Sequence, residues 1–162
     1  MTTGDVDLAA EVIAAARERS ATLATAESLT GGLVCAALVD VPGASDVVRG
    51  GVVAYAVDVK VSALGVPADL VERLGTVHES VARAMAEGAR QRLGATHAVA
   101  TTGVAGPDPS EGQPVGTVYI AVAGPEGTVD RAYGFDGDRP AIRRAACQAA
   151  LVLLRDTVAD TA

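Results

Sequence analysis

The sequence predicts an α/β protein, a three-layer α/β/α sandwich built on a mixed, mostly parallel sheet. Three observations lead there. Helical patterns alternate with short β-branched runs, as they do where helices cover both faces of a sheet. Two of the predicted strands run into glycine turns, Gly31-Gly32 and Gly103-Val104-Ala105-Gly106, the kind of loop that gathers at the carboxyl ends of parallel strands. Two later strands are separated only by Gly124-Pro125-Glu126-Gly127, a hairpin signal that makes the sheet mixed. At 162 residues the chain fits one domain, residues 1–162, long enough to bury its own core. It shows no repeat, linker or low-complexity segment.

In order, residues 5–19 have Val6, Ala9, Ala10, Ile13 and Ala16 at spacings of three and four, the period of an amphipathic helix. Residues 22–26 form a short strand, and a small-residue helix follows over 32–39 until Val41-Pro42-Gly43 breaks it. The run at 47–57, rich in valine, reads as a largely buried strand ending near Tyr55 and passing into Asp58-Val59-Lys60. Residues 67–74 and 80–93 read as helices, the second with Val81, Met85, Ala89 and Leu93 along one face. A strand at 97–102 precedes the second glycine turn. The hairpin strands occupy 116–123 and 128–135, and a long helix at 139–158 turns Ile142, Ala145 or Ala146, Ala149, Leu153 and Val158 inward.

Composition removes several function classes. Thirteen basic residues against 20 acidic ones give a net charge of −7, and aromatic residues make up 2%; a nucleic-acid surface needs a basic stripe and stacking rings. No apolar run approaches the ~20 residues of a membrane span, and the start of the sequence lacks the pattern of a secretory signal, so no membrane association and a cytoplasmic location are expected. Cys35 and Cys147 lie in helical, apolar surroundings and read as buried thiols. No His/Cys/Asp/Glu cluster has metal-ligand spacing, and neither glycine turn matches a phosphate-loop or dinucleotide fingerprint. No metal or cofactor is expected.

What remains is hydroxyl and amine chemistry. In Glu27-Ser28-Leu29-Thr30-Gly31-Gly32 a strand delivers a hydroxyl to a turn, where Ser28 and Thr30 can cap the next helix and the glycines can offer amides to an anion. A capped turn without chemistry fits the same residues. A serine nucleophile needs a proton acceptor. His97 falls inside a strand, where a satisfied core imidazole is the simpler reading, and His78 falls at a helix start, where capping is. Lys60 is the only lysine of the chain, and an amine can be deprotonated where a guanidinium cannot. A solvated surface lysine is the competing reading. Tyr55 can reach the same pocket, to meet an oxyanion or to orient Lys60; otherwise it is a half-buried strand aromatic. Asp138 and Pro140 suit the start of the last helix. Arg139, Arg143 and Arg144 there run against the helix dipole and ask for an anion or a carboxylate partner.

Taken together, Ala26-Glu27-Ser28-x-Thr30-Gly31-Gly32, Tyr55 followed by Lys60, Gly103-Val104-Ala105-Gly106-Pro107-Asp108, Pro114-Val115-Gly116-Thr117-Val118 and Gly137-Asp138-Arg139-x-x-x-Arg143 closely resemble the CinA C-terminal domain family. The motifs occur in the family's order over residues 8–157. The resemblance implies a nicotinamide-nucleotide amidase that converts nicotinamide mononucleotide to nicotinate mononucleotide and ammonia. It makes Ser28 the nucleophile, Lys60 its base and Tyr55 an assistant, with Thr30, Gly31, Gly32, Thr102, Gly103, Gly106 and Arg143 around the substrate. It also implies a homo-oligomer, in a stand-alone form without the N-terminal domain of many relatives. Leu29 stands where the family often has Cys, and the 108–112 loop lacks a double glycine common there. A nucleotide-binding or regulatory module without activity, or a hydrolase of another small amide, are the alternatives.

Overall fold

The computed structural model describes residues 3–161, with side chains from Asp7 onward; the side chain of Val6, expected on the inner face, lies outside that range. Helix α1 (Thr3–Glu18) leads into strand β1 (Leu23–Glu27), helix α2 (Leu33–Val39) and, after a 3-10 turn at Ala44–Asp46, strand β2 (Val48–Val53). Helices α3 (Val57–Leu64), α4 (Ala68–Leu74) and α5 (Glu79–Leu93) precede strand β3 (His97–Gly103). The hairpin of β4 (Thr117–Gly124) and β5 (Gly127–Gly134) is followed by α6 (Arg139–Asp160).

The strand order is β2-β1-β3-β4-β5. Strands β2, β1 and β3 are parallel, while β4 pairs antiparallel with both β3 and β5, so β4 alone runs against the rest. The mixed, mostly parallel sheet is therefore as expected. Period-two alternation sends the two sets of strand side chains to different helices. Leu23, Val99, Val118, Ile120 and Val122 pack with α1, α2 and α6. Ala24, Ala26, Ala98, Ala100, Ala121 and Ala123 form a shallow opposite face against α5, with Leu64 of α3 and Val71 of α4. Alanine on the sheet lets α5 lie close. On its other side Gly88 lets α5 meet α3, where a methyl group would overlap the Leu64 carbonyl oxygen.

Beyond the strand expected to end near Tyr55, residues 57–64 form a helix that the sequence did not predict: Asp58 lies in its first turn and Gly65, at φ 70°, ends it, and these signals outweigh the β preference of its valines. Three expectations are corrected. Strand β2 is the sheet edge, alternating half-buried and exposed instead of largely buried. On α1, Ala10 is exposed and Val12 fills the inner face. Cys147 is buried, but Cys35 is only half-buried, packed over Gly51. Among the described residues no helix is long and apolar enough to cross a membrane, and no group of three or more His, Cys, Asp or Glu is placed to hold a metal.

Candidate active site

Register brings the chemistry together. Glu27 at the end of β1 is paired with Val53 of β2 and Thr101 of β3, so Ser28, Ala54 and Thr102 lie level at the carboxyl ends of three parallel strands. Strand β1 lies between β2 and β3, and the β1–β2 connection through α2 and the β2–β3 connection through α5 cover opposite faces, which makes this end of the strands the switch point of the sheet. Helix α3 then turns back and inserts Lys60. Its Nζ lies 3.0 Å from Ser28 Oγ, 2.8 Å from the Ala54 carbonyl oxygen and 2.9 Å from the Tyr55 carbonyl oxygen. Lys60 is 1% exposed and Ser28 8%. Burial pulls the Lys60 amine from 10.5 down to about 8, against a smaller upward pull from the Glu111 charge. A buried lysine with carbonyl and hydroxyl partners and no adjoining carboxylate is poised to exchange its proton.

The pair lies against a cavity of about 420 Å³, also lined by Thr76, Val77, Thr102, Gly103 and Arg139, within the size range of small-ligand sites. Tyr55 lines it as well, but it serves Lys60 through its carbonyl. Its phenol, in a residue 61% exposed, accepts a hydrogen bond from Arg139 Nη2 at 3.0 Å. Arg139 Nη1 also donates to the Gly106 carbonyl at 2.8 Å, which is how Gly106 takes part. Thr102 Oγ1 donates to the Thr76 carbonyl at 2.8 Å and holds the wall in place.

Thr30, Gly31, Gly32 and Arg143 shape the turn behind Ser28 and are absent from the cavity wall. Thr30 Oγ1 is 2.7 Å from Thr101 Oγ1. The Gly31 amide donates to the Ser28 carbonyl, and the Gly32 amide to Glu27 Oε2. Gly31 and Gly32 have φ of 58° and 99°, left-handed conformations suited to glycine. Arg143 donates to the Leu29 and Thr30 carbonyls at 2.8 and 2.9 Å, so its donors hold the turn and Arg139 is the arginine at the cavity. These helix-start arginines meet carbonyl oxygens where an acid or anion was expected.

Glu27 is the residue sequence reasoning overlooked. Its buried carboxylate accepts from the amides of Gly32, Val34 and Cys35 and from Thr25 Oγ1. It thus caps α2 from the preceding strand, the task expected of the Ser28 and Thr30 hydroxyls. The signal was an acid facing a helix N-terminus across a glycine turn. His78 does cap α5, accepting from the Ser80 amide through Nδ1. His97 is a core imidazole held by Thr96 and Thr161 hydroxyls.

The fold and this end of the sheet define a class: an α/β/α domain with a buried serine–lysine pair where the parallel strands end. The family model described as CinA C-terminal domain matches residues 5–158, and the chain belongs to that family. It is 57% identical over 142 residues to a CinA-like protein of Frankia casuarinae, covering 88% of this chain and 33% of the relative. It is 48% identical over 161 residues to a CinA-like protein of Gemmatimonas aurantiaca, covering 98% and 37%. The chain thus spans about a third of the length of these curated relatives. A CinA superfamily protein from Klebsiella pneumoniae superposes with a TM-score of 0.94 at 31% identity, covering 97% of this chain and 99% of that one. A competence/damage inducible protein from Agrobacterium tumefaciens gives 0.91 at 36% identity, with 98% of both chains covered.

Proposed function

We propose that this chain is a serine/lysine amidohydrolase that deamidates nicotinamide mononucleotide to nicotinate mononucleotide and ammonia. The observation that carries the reading is the buried 3.0 Å contact between Lys60 Nζ and Ser28 Oγ beside a cavity. A neutral amine has two N–H bonds and one lone pair. Lys60 meets two carbonyl oxygens and one hydroxyl, so the N–H bonds stay on Ala54 and Tyr55 while the lone pair faces the Ser28 proton.

Ser28 Oγ attacks the carboxamide carbon as its proton passes to Lys60, and the carbonyl electrons move onto oxygen. The Gly31 and Gly32 amides are committed elsewhere, which leaves that of Leu29, a residue on the cavity wall, as the turn's candidate donor to that oxyanion. The tetrahedral adduct collapses, the C–N bond breaks, and the Lys60 ammonium protonates the departing nitrogen as ammonia. Water then attacks the Ser28 ester with Lys60 taking its proton, and return of that proton to Oγ frees nicotinate mononucleotide. The substrate assignment rests on the family resemblance, supported by a cavity of suitable size with Arg139 on its wall for a phosphate.

The test is ammonia release from nicotinamide mononucleotide, with free nicotinamide alongside. Release from the mononucleotide is expected, with Ser28→Ala and Lys60→Ala each lowering kcat by about 10³-fold or more. No release by the unaltered chain overturns the amidase reading, and full release by Ser28→Ala overturns the nucleophile.

A further inference from the structure

Glu111 has no part in the mechanism above, yet its surroundings are built around its carboxylate. It follows Ser110, which lines the cavity, and reaches across to Thr76 and Val77, which line it too. Oε2 accepts from the Thr76 amide at 2.7 Å and the Val77 amide at 3.0 Å, while Oε1 accepts from Thr76 Oγ1 at 2.8 Å. Two backbone features accommodate this reach. Glu111 itself has φ 53°, a left-handed conformation that is uncommon outside glycine. Gly75 has φ 77°, and a Cβ there would lie 2.6 Å from Glu111 Oε2. The chain of contacts continues from the Thr76 carbonyl to the Thr102 hydroxyl at the end of β3.

We propose that Glu111 is a positioning residue for the cavity that holds the Ser28–Lys60 pair: its carboxylate clasps the 107–114 loop to Thr76 and Val77 on the wall of that cavity and brings a negative charge to the space Lys60 also lines. Glu111 is kept ionised: burial pushes its pKa up, but hydrogen bonds from Val77 and Thr76 and the Lys60 charge outweigh this and bring it down overall. Its negative charge favours the Lys60 ammonium, opposing burial. The other charged or titratable groups nearby are otherwise engaged. Glu27 faces the start of α2, His78 caps α5, Asp58 is exposed on α3, and Tyr55 and Arg139 bond to each other. The balance matters because Lys60 must first take a proton from Ser28 and then give one to the leaving nitrogen. Burial alone makes the amine a poor acid carrier, and an adjoining carboxylate would fix it as an ammonium.

The inference rests on the amidase reading for the role of Lys60, but its test does not need turnover. Because Lys60 is the only lysine, protein labelled with ¹³C-lysine gives one Cε resonance that reports its titration. Glu111→Gln keeps the reach, its oxygen serving both amides and its NH2 group the Thr76 hydroxyl, and removes the charge; the Lys60 midpoint is expected to fall. Glu111→Asp keeps the charge but is one methylene short; the Thr76 and Val77 amides are expected to exchange with solvent at least about tenfold faster. An unmoved Lys60 midpoint in the Gln variant, or unchanged exchange at both amides in the Asp variant, overturns the proposal. Absence of ammonia release by the unaltered protein counts against the amidase reading alone, since titration and exchange still decide the role of Glu111.

Discussion

Burial draws Lys60 from 10.5 to about 8 because its charged form loses water that two carbonyl dipoles replace only in part. The sign of the pH dependence follows. In the free enzyme the base must be neutral, so kcat/KM for ammonia release is expected to rise about tenfold per pH unit below pH 8 and to level off above it. Lys60→Arg is expected to be inactive at every pH, because a guanidinium keeps its proton. Rate measurements from pH 6 to 9.5 check both, and a flat profile removes Lys60 as the base. The pair itself was legible in the sequence because an amine stood alone among guanidiniums beside a strand-end serine. The atoms used were less legible. Tyr55 reaches Lys60 through its carbonyl, which residue type cannot encode. Arg139 and Arg143, four apart on α6, lie on one helix face, and only tertiary contacts send the first to the cavity and the second to the Ser28 turn.

At the scale of elements, strands that end in glycine turns and the Asp138 cap were readable because local chemistry alone specifies them. Helix α3 was not, since its valine-rich sequence is held helical by what surrounds it: Leu64 packs into the alanine-faced core and Lys60 bonds back to the residues that precede the helix. The edge position of β2 was hidden for the same reason, because strand order is a long-range property that the run at 48–53 does not carry. Close packing of α3 on α5 gives a prediction in which two effects oppose. In an exposed helix Gly→Ala stabilises by about 1 kcal/mol. At Gly88 the added methyl meets the Leu64 backbone carbonyl, which cannot rotate aside, and overpacking of that kind costs about 1–3 kcal/mol. Gly88→Ala is therefore expected to lower stability in urea unfolding, and a rise in the midpoint would show that α3 can shift away.

Over the whole molecule, a net charge of −7 disfavours the approach of the anionic mononucleotide proposed as substrate, so on that reading local groups must supply the attraction. On the same reading this role falls to Arg139. Its guanidinium is on the cavity wall and is oriented by the Gly106 carbonyl and the Tyr55 phenol, neither of which neutralises it. Arg143 is farther from that task because its donors brace the turn carrying Ser28. A charge-assisted contact to phosphate is worth about 1.5–3 kcal/mol. Arg139 is exposed, which puts its contribution at the low end, so Arg139→Ala is expected to reduce kcat/KM for nicotinamide mononucleotide about tenfold, mainly through KM. Nicotinamide riboside presents the same carboxamide without the phosphate, so its turnover is expected to change little in the variant. Comparing the two substrates at fixed ionic strength separates the contributions. Equal losses on both would mean that Arg139 acts by holding Tyr55 and the Gly106 turn, and that the phosphate is met elsewhere.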